Sequence, residues 1–282
     1  MSNKPRKWWI AGLLSLLEPG LGQVYNGQAL KGILILALPL LIIPGMILCI
    51  IAKNIVFFLC IFALSTLAYY VTTVADAILT ARKLSSEYQL KPYNRIIIYI
   101  GIVVLVFIVN TMLSESVKNN YIKAYKIPAG SMEPTLLTGD RVLVDRRPSA
   151  LNPKRGDIII FEYPADAGKD FVKRVVAAGG DIVEIRDKEL FVNGEPVKEM
   201  YVIHEDSKSL TAAQSPRDNY GPVTVPQDCY FVVGDNRDQS FDSRFWGFVE
   251  KSKVKGTVKS IYWSWDHNNN SVRWHRIGVE VM

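Results

Sequence analysis

The run DFVKRVVAAGGDIVEIRDKELFVNG, residues 170–194, decides the fold of the polar part of this chain. Segments 171–178, 181–186 and 189–193 are short, rich in Val, Ile and Phe, and separated by Gly179-Gly180 and by Asp187. Segments of that length bounded by turn residues read as β-strands. Asn193-Gly194, between Leu190-Phe191-Val192 and Val197, is a tight hairpin signal. Side chains alternate along a strand, so Phe171, Lys173 and Val175 share one face while Arg174 points to the other. A lysine on an apolar face is desolvated, which moves it toward the neutral amine that can take a proton from a hydroxyl.

Working outward, 141–145, 157–163, 229–234 and 254–263 repeat the pattern, so residues 114–282 are expected to form a mostly antiparallel β domain. Residues 198–226, polar with Ser, Gln, Pro and Asn, interrupt the series and read as an inserted flap. Upstream the texture changes. Residues 32–52, 55–75 and 96–113 are uncharged and close to the ~20 residues a spanning helix needs, which predicts a membrane region over 32–113. Residues 8–17 are too short to span, and with Trp8 and Trp9 beside Lys7 they read as an interfacial or re-entrant helix in a cytoplasmic segment, 1–31. The EPGLGQVYNGQALKG run at 18–32 reads as a Gly-rich turn region.

Orientation follows from the loop cations. Lys4, Arg6, Lys7 and Lys31 precede the first expected span, Lys53 alone separates it from the second, and Arg82, Lys83, Lys91 and Arg95 separate the second from the third. Basic loops stay in the cytoplasm, so a multi-pass plasma-membrane protein with its β domain on the extracytoplasmic side is expected. Of the 282 residues, 33 are basic and 27 acidic; residues 1–113 hold nine basic and three acidic side chains, whereas 114–282 hold 24 of each. The net charge of +6 therefore belongs to the membrane part, which argues against a nucleic-acid partner. Cys49, Cys60 and Cys229 form no CxxC, and His204, His267 and His275 no HExxH, so neither metal nor disulfide framework is expected.

Two further runs carry chemistry. In IPAGSMEPTLLTGDRVLV, residues 127–144, Ser131 follows Ala-Gly between Pro128 and Pro134, on a rigid turn where hydroxyl and backbone N–H can face a substrate. No histidine stands in a comparable setting, which disfavours a Ser-His-Asp triad; a desolvated Lys173 would fit the logic of a Ser-Lys dyad, while an ordinary turn serine and a lysine snorkelling at a strand edge are the plainer readings of the two residues. In GDNRDQSFDSRFWGFV, residues 234–249, Asp235, Asn236, Arg237, Asp238, Ser240, Asp242, Ser243 and Arg244 are packed between apolar runs, a density that suggests mutual hydrogen bonding.

Together the three runs closely resemble type I signal peptidases, serine proteases of the Ser-Lys class, over about 125–249 plus the tail motifs IYWSWD and VRWHRIG. The resemblance implies a signal-peptidase/LexA-like β fold and a membrane-bound endopeptidase that removes signal peptides after small-x-small (A-x-A) sites. It implies Ser131 as nucleophile, Lys173 as general base, Ser240, Asp242 and Arg244 as supports, and a substrate pocket lined by Ile127, Met132, Leu136 and Val172. It implies no cofactor; the partners would be preprotein signal peptides, the lipid bilayer and, by proximity, the secretion machinery. Trp263 and Trp265, alternating on one strand, would rest in the headgroup layer or in the core. The sequence departs from the pattern at Ala129, where many relatives carry a Ser that completes the oxyanion hole with the Ser131 N–H, and at Gly179, where Pro is common. A self-cleaving LexA-type repressor would need a DNA-binding module where the apolar runs stand. A binding domain without activity would be favoured had Ser131 or Lys173 been replaced.

Overall fold

The computed structural model describes residues 6–39, 55–84, 88 and 91–281. The chain divides into two compact units, Met1–Ser116 and Val117–Met282. The first is helical: α1 (Trp8–Leu17), α2 (Leu21–Tyr25), α3 (Ala29–Pro39), α4 (Ile55–Lys83) and α5 (Ile96–Asn120), the last running on into the second unit. Within α4 the segment Cys60–Lys83, and α5 along its whole length, are long and apolar enough to cross a membrane, with mean hydropathy 1.4 and 2.8. Exposure decides between a span and a core helix: α5 buries none of its residues, leaving Ile96, Ile97, Leu105 and Phe107 out. Both helices outrun the expected spans, by several residues beyond 75 and 113. Of the expected span 32–52, α3 reaches Pro39 and residues 40–52 lie outside the described residues.

The Gly-rich region 18–32 is not a simple turn. It contains α2, whose Leu21, Gly22, Gln23 and Val24 are buried. A Cβ on Gly22 would run into the Ser15 hydroxyl, the Ala11 carbonyl and the Ala77 methyl, so glycine is what lets α1 and α4 close around α2. The polar groups that burial strands are then met across the crossing: Gln23 Nε2 donates to Thr73 O (2.9 Å) and Asp76 (3.0 Å), and Asn26 Nδ2 to Ala77 O (2.7 Å).

The second unit is built on two antiparallel sheets. The larger runs β1 (Ile122–Lys126), β2 (Asp140–Asp145), β11 (Val254–Asp266), β3 (Ile158–Glu162), β4 (Asp170–Ala178), β9 (Cys229–Val233) and β10 (Val249–Glu250), with β12 (Ser271–Val272) on β11. The smaller runs β7 (Glu195–Pro196), β6 (Glu189–Val192), β5 (Ile182–Arg186) and β8 (Tyr220–Thr224). The seven expected strands are present within a few residues. Segment 198–226 needs correction, because it ends in β8, which pairs with β5, and Ile203 bridges Asn236, so the flap is tied to the fold at two places. Its polar composition hides a strand that shows only one face to the core.

Alternation along the strands sorts the core. Ile158 and Ile160 join Val142, Val144 and Ile261 on one side of the large sheet, while Ile159, Phe161, Val175 and Val232 form the other. Trp263 is half-buried, its ring edge-on to exposed Trp274 at 6.3 Å, and Trp265 is also half-buried.

Candidate active site

β4 carries Lys173 opposite Ile159 of β3, with Phe171 and Val175 on the same face. The lysine is only 4% exposed, and no carboxylate pairs with it among the described residues. Burial therefore dominates: it pulls the amine down to about 8, against a smaller opposing pull from Asp242. Lys173 Nζ lies 2.8 Å from Ser131 Oγ and donates to the carbonyl of Val172 at 3.0 Å. Ser131 reaches it from a turn held at both ends, by Glu133 N to Gly130 O (3.0 Å) and Leu136 N to Met132 O (2.9 Å). Serine and lysine, 42 positions apart, are thus brought to hydrogen-bonding distance.

The loop after β9 supports this pair from below. Asp242 accepts two bonds from the Arg244 guanidinium, each 2.8 Å, and one from Gly234 N at 3.0 Å, with both residues buried. Burial pushes the Asp242 carboxyl up, but Arg244 outweighs it and holds it below the usual range. The Arg244 guanidinium also donates to the carbonyls of Arg217 (2.7 Å) and Arg237 (2.8 Å), locking the loop. Gly234 is required by close approach, since a Cβ there would strike Ser240 Oγ and the Ser131 carbonyl. Ser240 is buried beside them, and its hydroxyl adds to the pull of Arg244 on the Asp242 carboxyl. The Lys173 amine is held by Ser131 Oγ and Val172 O.

Of the four expected pocket residues, Ile127, Met132 and Leu136 are at most 1% exposed and lie in one apolar cluster, and Val172 packs half-buried against the same cluster. Apolar side chains on this turn fold down onto the sheet because that is where apolar partners are. An open cavity beside Ser131, about 290 Å³, is lined by Ala129, Gly130, Glu133, Glu205, Asn236 and Gln239. Ala129 is exposed and brings no side-chain donor to it.

Sequence reasoning also passed over Arg174. It points to the opposite face, as alternation requires, and its guanidinium donates to both oxygens of Asp235 at 2.8 and 2.7 Å and to Gly156 O at 2.6 Å. Its Cζ stacks 3.7 Å from the Tyr201 ring centre. Only the neighbouring Asp235 hinted at it, and that pairing spans 61 positions. Among the described residues no group of His, Cys, Asp and Glu is placed to hold a metal.

The geometry sets a serine hydroxyl 2.8 Å from a buried lysine amine on an antiparallel β domain. The family model described as signal peptidase, peptidase S26, matches residues 93–263. The chain belongs to that family. It is 36% identical over 159 residues to a probable signal peptidase I-2 of Synechocystis sp., covering 54% of this chain and 68% of that one. Against a signal peptidase I of Pseudomonas fluorescens it is 31% identical over 247 residues, 71% of this chain and 82% of the relative. Against signal peptidase I P of Bacillus subtilis subsp. natto it is 34% identical over 157 residues, 55% and 84%.

Proposed function

We propose that this chain is a membrane-held endopeptidase that removes signal peptides from exported preproteins after A-x-A sites, using Ser131 as nucleophile and Lys173 as general base. The observation that carries the reading is the 2.8 Å approach of Lys173 Nζ to Ser131 Oγ in a site that keeps the amine near neutrality. With its pKa about 8, about a tenth of Lys173 is neutral at pH 7, several hundredfold more than for a free lysine. The neutral amine takes the hydroxyl proton as Ser131 Oγ attacks the scissile carbonyl. The ammonium returns that proton to the departing amine as the C–N bond breaks, leaving an ester on Ser131. A water molecule, deprotonated by the same amine, attacks the ester, and the signal peptide leaves with a free carboxylate. The Ser131 N–H meets the oxyanion in each tetrahedral intermediate. Asp242 and Arg244 are positioning residues that hold the loop carrying Gly234 and Ser240 against Ser131.

The lipid bilayer and preprotein signal peptides are the partners this reading requires, with the secretion machinery near by proximity. Nucleic acid has no role in it. The cation bias of the loops supports a multi-pass topology with the β domain outside. Detergent-solubilised protein, incubated with a preprotein bearing an A-x-A site, is expected to cut after that site. Ser131→Ala is expected to lose about 10⁴-fold or more in kcat. Undiminished cleavage by Ser131→Ala would overturn the proposal.

A further inference from the structure

Two carboxylates line the cavity beside Ser131. Glu133 folds its own over Gly130, where a Cβ would lie 2.9 Å from Oε1, and Glu205 lines the same cavity. Neither carboxylate has an ion-pair partner among the described residues. Glu205 is instead oriented by amides: Asn236 Nδ2 donates to Oε1 at 2.8 Å and Gln239 Nε2 to Oε2 at 3.2 Å. That first bond fixes the Asn236 amide, because turning it over would set its carbonyl oxygen against a carboxylate oxygen. Asn236 is 2% exposed, its backbone N–H donates to Ser131 O at 3.2 Å, and its Oδ1 has no hydrogen-bond partner. A buried carbonyl oxygen without a donor costs free energy that a ligand N–H would restore. Two carboxylates and an orphan carbonyl around one small cavity match a group with several N–H donors and positive charge. Lysine ammonium and arginine guanidinium are the side chains of that description.

We propose that this cavity is a specificity subsite for a basic side chain of the substrate lying within three residues of the scissile bond, read by Glu133, Glu205 and Asn236 Oδ1. The inference rests on the proposed peptidase reaction and adds a substrate preference to it.

The test uses a full-length detergent-solubilised chain and a set of otherwise identical A-x-A peptides with one Lys, or the isosteric neutral norleucine, placed at the x position or at one of the three positions after the cut. At one position Lys is expected to raise kcat/KM about two- to fivefold per carboxylate at low salt, falling as salt is added. Glu133→Gln and Glu205→Gln should each lower the Lys-to-norleucine ratio of kcat/KM, removing part of that gain. Glu205→Lys should turn the preference toward Asp at the same position. A Lys-to-norleucine ratio near one at all four positions, or a gain the Gln variants keep, would overturn the subsite. A binding arm separates the two readings: Ser131→Ala protein should hold the favoured Lys peptide more tightly than its norleucine twin. If no peptide is cut but that difference persists, the subsite stands and the reaction falls. If cutting is normal and the difference is absent, the reverse holds.

Discussion

Lys173 and Arg174 are neighbours on β4, both buried and both cationic residues, yet the two faces of the strand treat them in opposite ways. On one face Asp235 grips Arg174 with two bonds, and Gly156 and Tyr201 take up the rest of the guanidinium. On the other, Lys173 meets Ser131 Oγ, one carbonyl and apolar walls, and burial lowers its pKa to about 8. A buried cation given a carboxylate becomes a fixed structural element, whereas one denied it has its charged form destabilised, as the proposed role of base requires. The difference lies in the partner, since both side chains are removed from water to the same degree.

The sharpest way to break this comparison is to remove the amine. Lys173→Met should lower kcat about 10⁴-fold, as loss of a dyad member does. It should also stabilise the fold at pH 7, by about 1–2 kcal/mol. A lysine whose pKa is depressed carries the full penalty of its buried charge below about pH 8, and that penalty fades as pH rises toward the unfolded value. A Tm at pH 7 lower than the parent's would show that Lys173 is a structural cation like its neighbour.

Asp235→Ala tests the other face. It strands the Arg174 guanidinium and should cost about 3–5 kcal/mol in denaturant unfolding, while Arg174→Met with Asp235→Leu recovers most of that loss. Equal stability of the single and double variants would mean the pair is not what holds this face. The pH profile comes next. kcat/KM should fall about tenfold for each pH unit below about 8 and level off above it, because only the neutral amine accepts the serine proton. A flat profile from pH 8 to 6 would remove Lys173 from the role of base. The smallest effect is expected at Ala129, which lines the cavity without a hydroxyl. Ala129→Ser should raise kcat about two- to tenfold by adding an oxyanion donor, well short of the 10²–10³ a lost donor costs elsewhere. An unchanged or reduced kcat would show that the hole is already complete.

Much of the site was legible before folding was known, for reasons that are local. Alternation put Lys173 among apolar neighbours, Pro128 and Pro134 bracketed Ser131, and the density of polar residues at 234–244 demanded internal pairing. What stayed hidden was equally physical. The sequence does not show that Ile127, Met132 and Leu136 pack into one apolar cluster with the sheet beneath them. The polar stretch 198–226 concealed β8, because a strand with one buried face needs few apolar residues.

The sequence by itself determined the elements whose cause lies within a few residues: apolar helices over 55–75 and 96–113, short strands cut by Gly, Asn and Asp, and a lysine on an apolar face. Only the tertiary structure decided which groups meet. The 2.8 Å contact between Ser131 and Lys173, the grip of Asp235 on Arg174, and the orphan oxygen of Asn236 beside two unpaired glutamates join positions 31 to 103 apart. Strand register and close backbone approach at Gly234 set those distances, and neither is written in any local pattern.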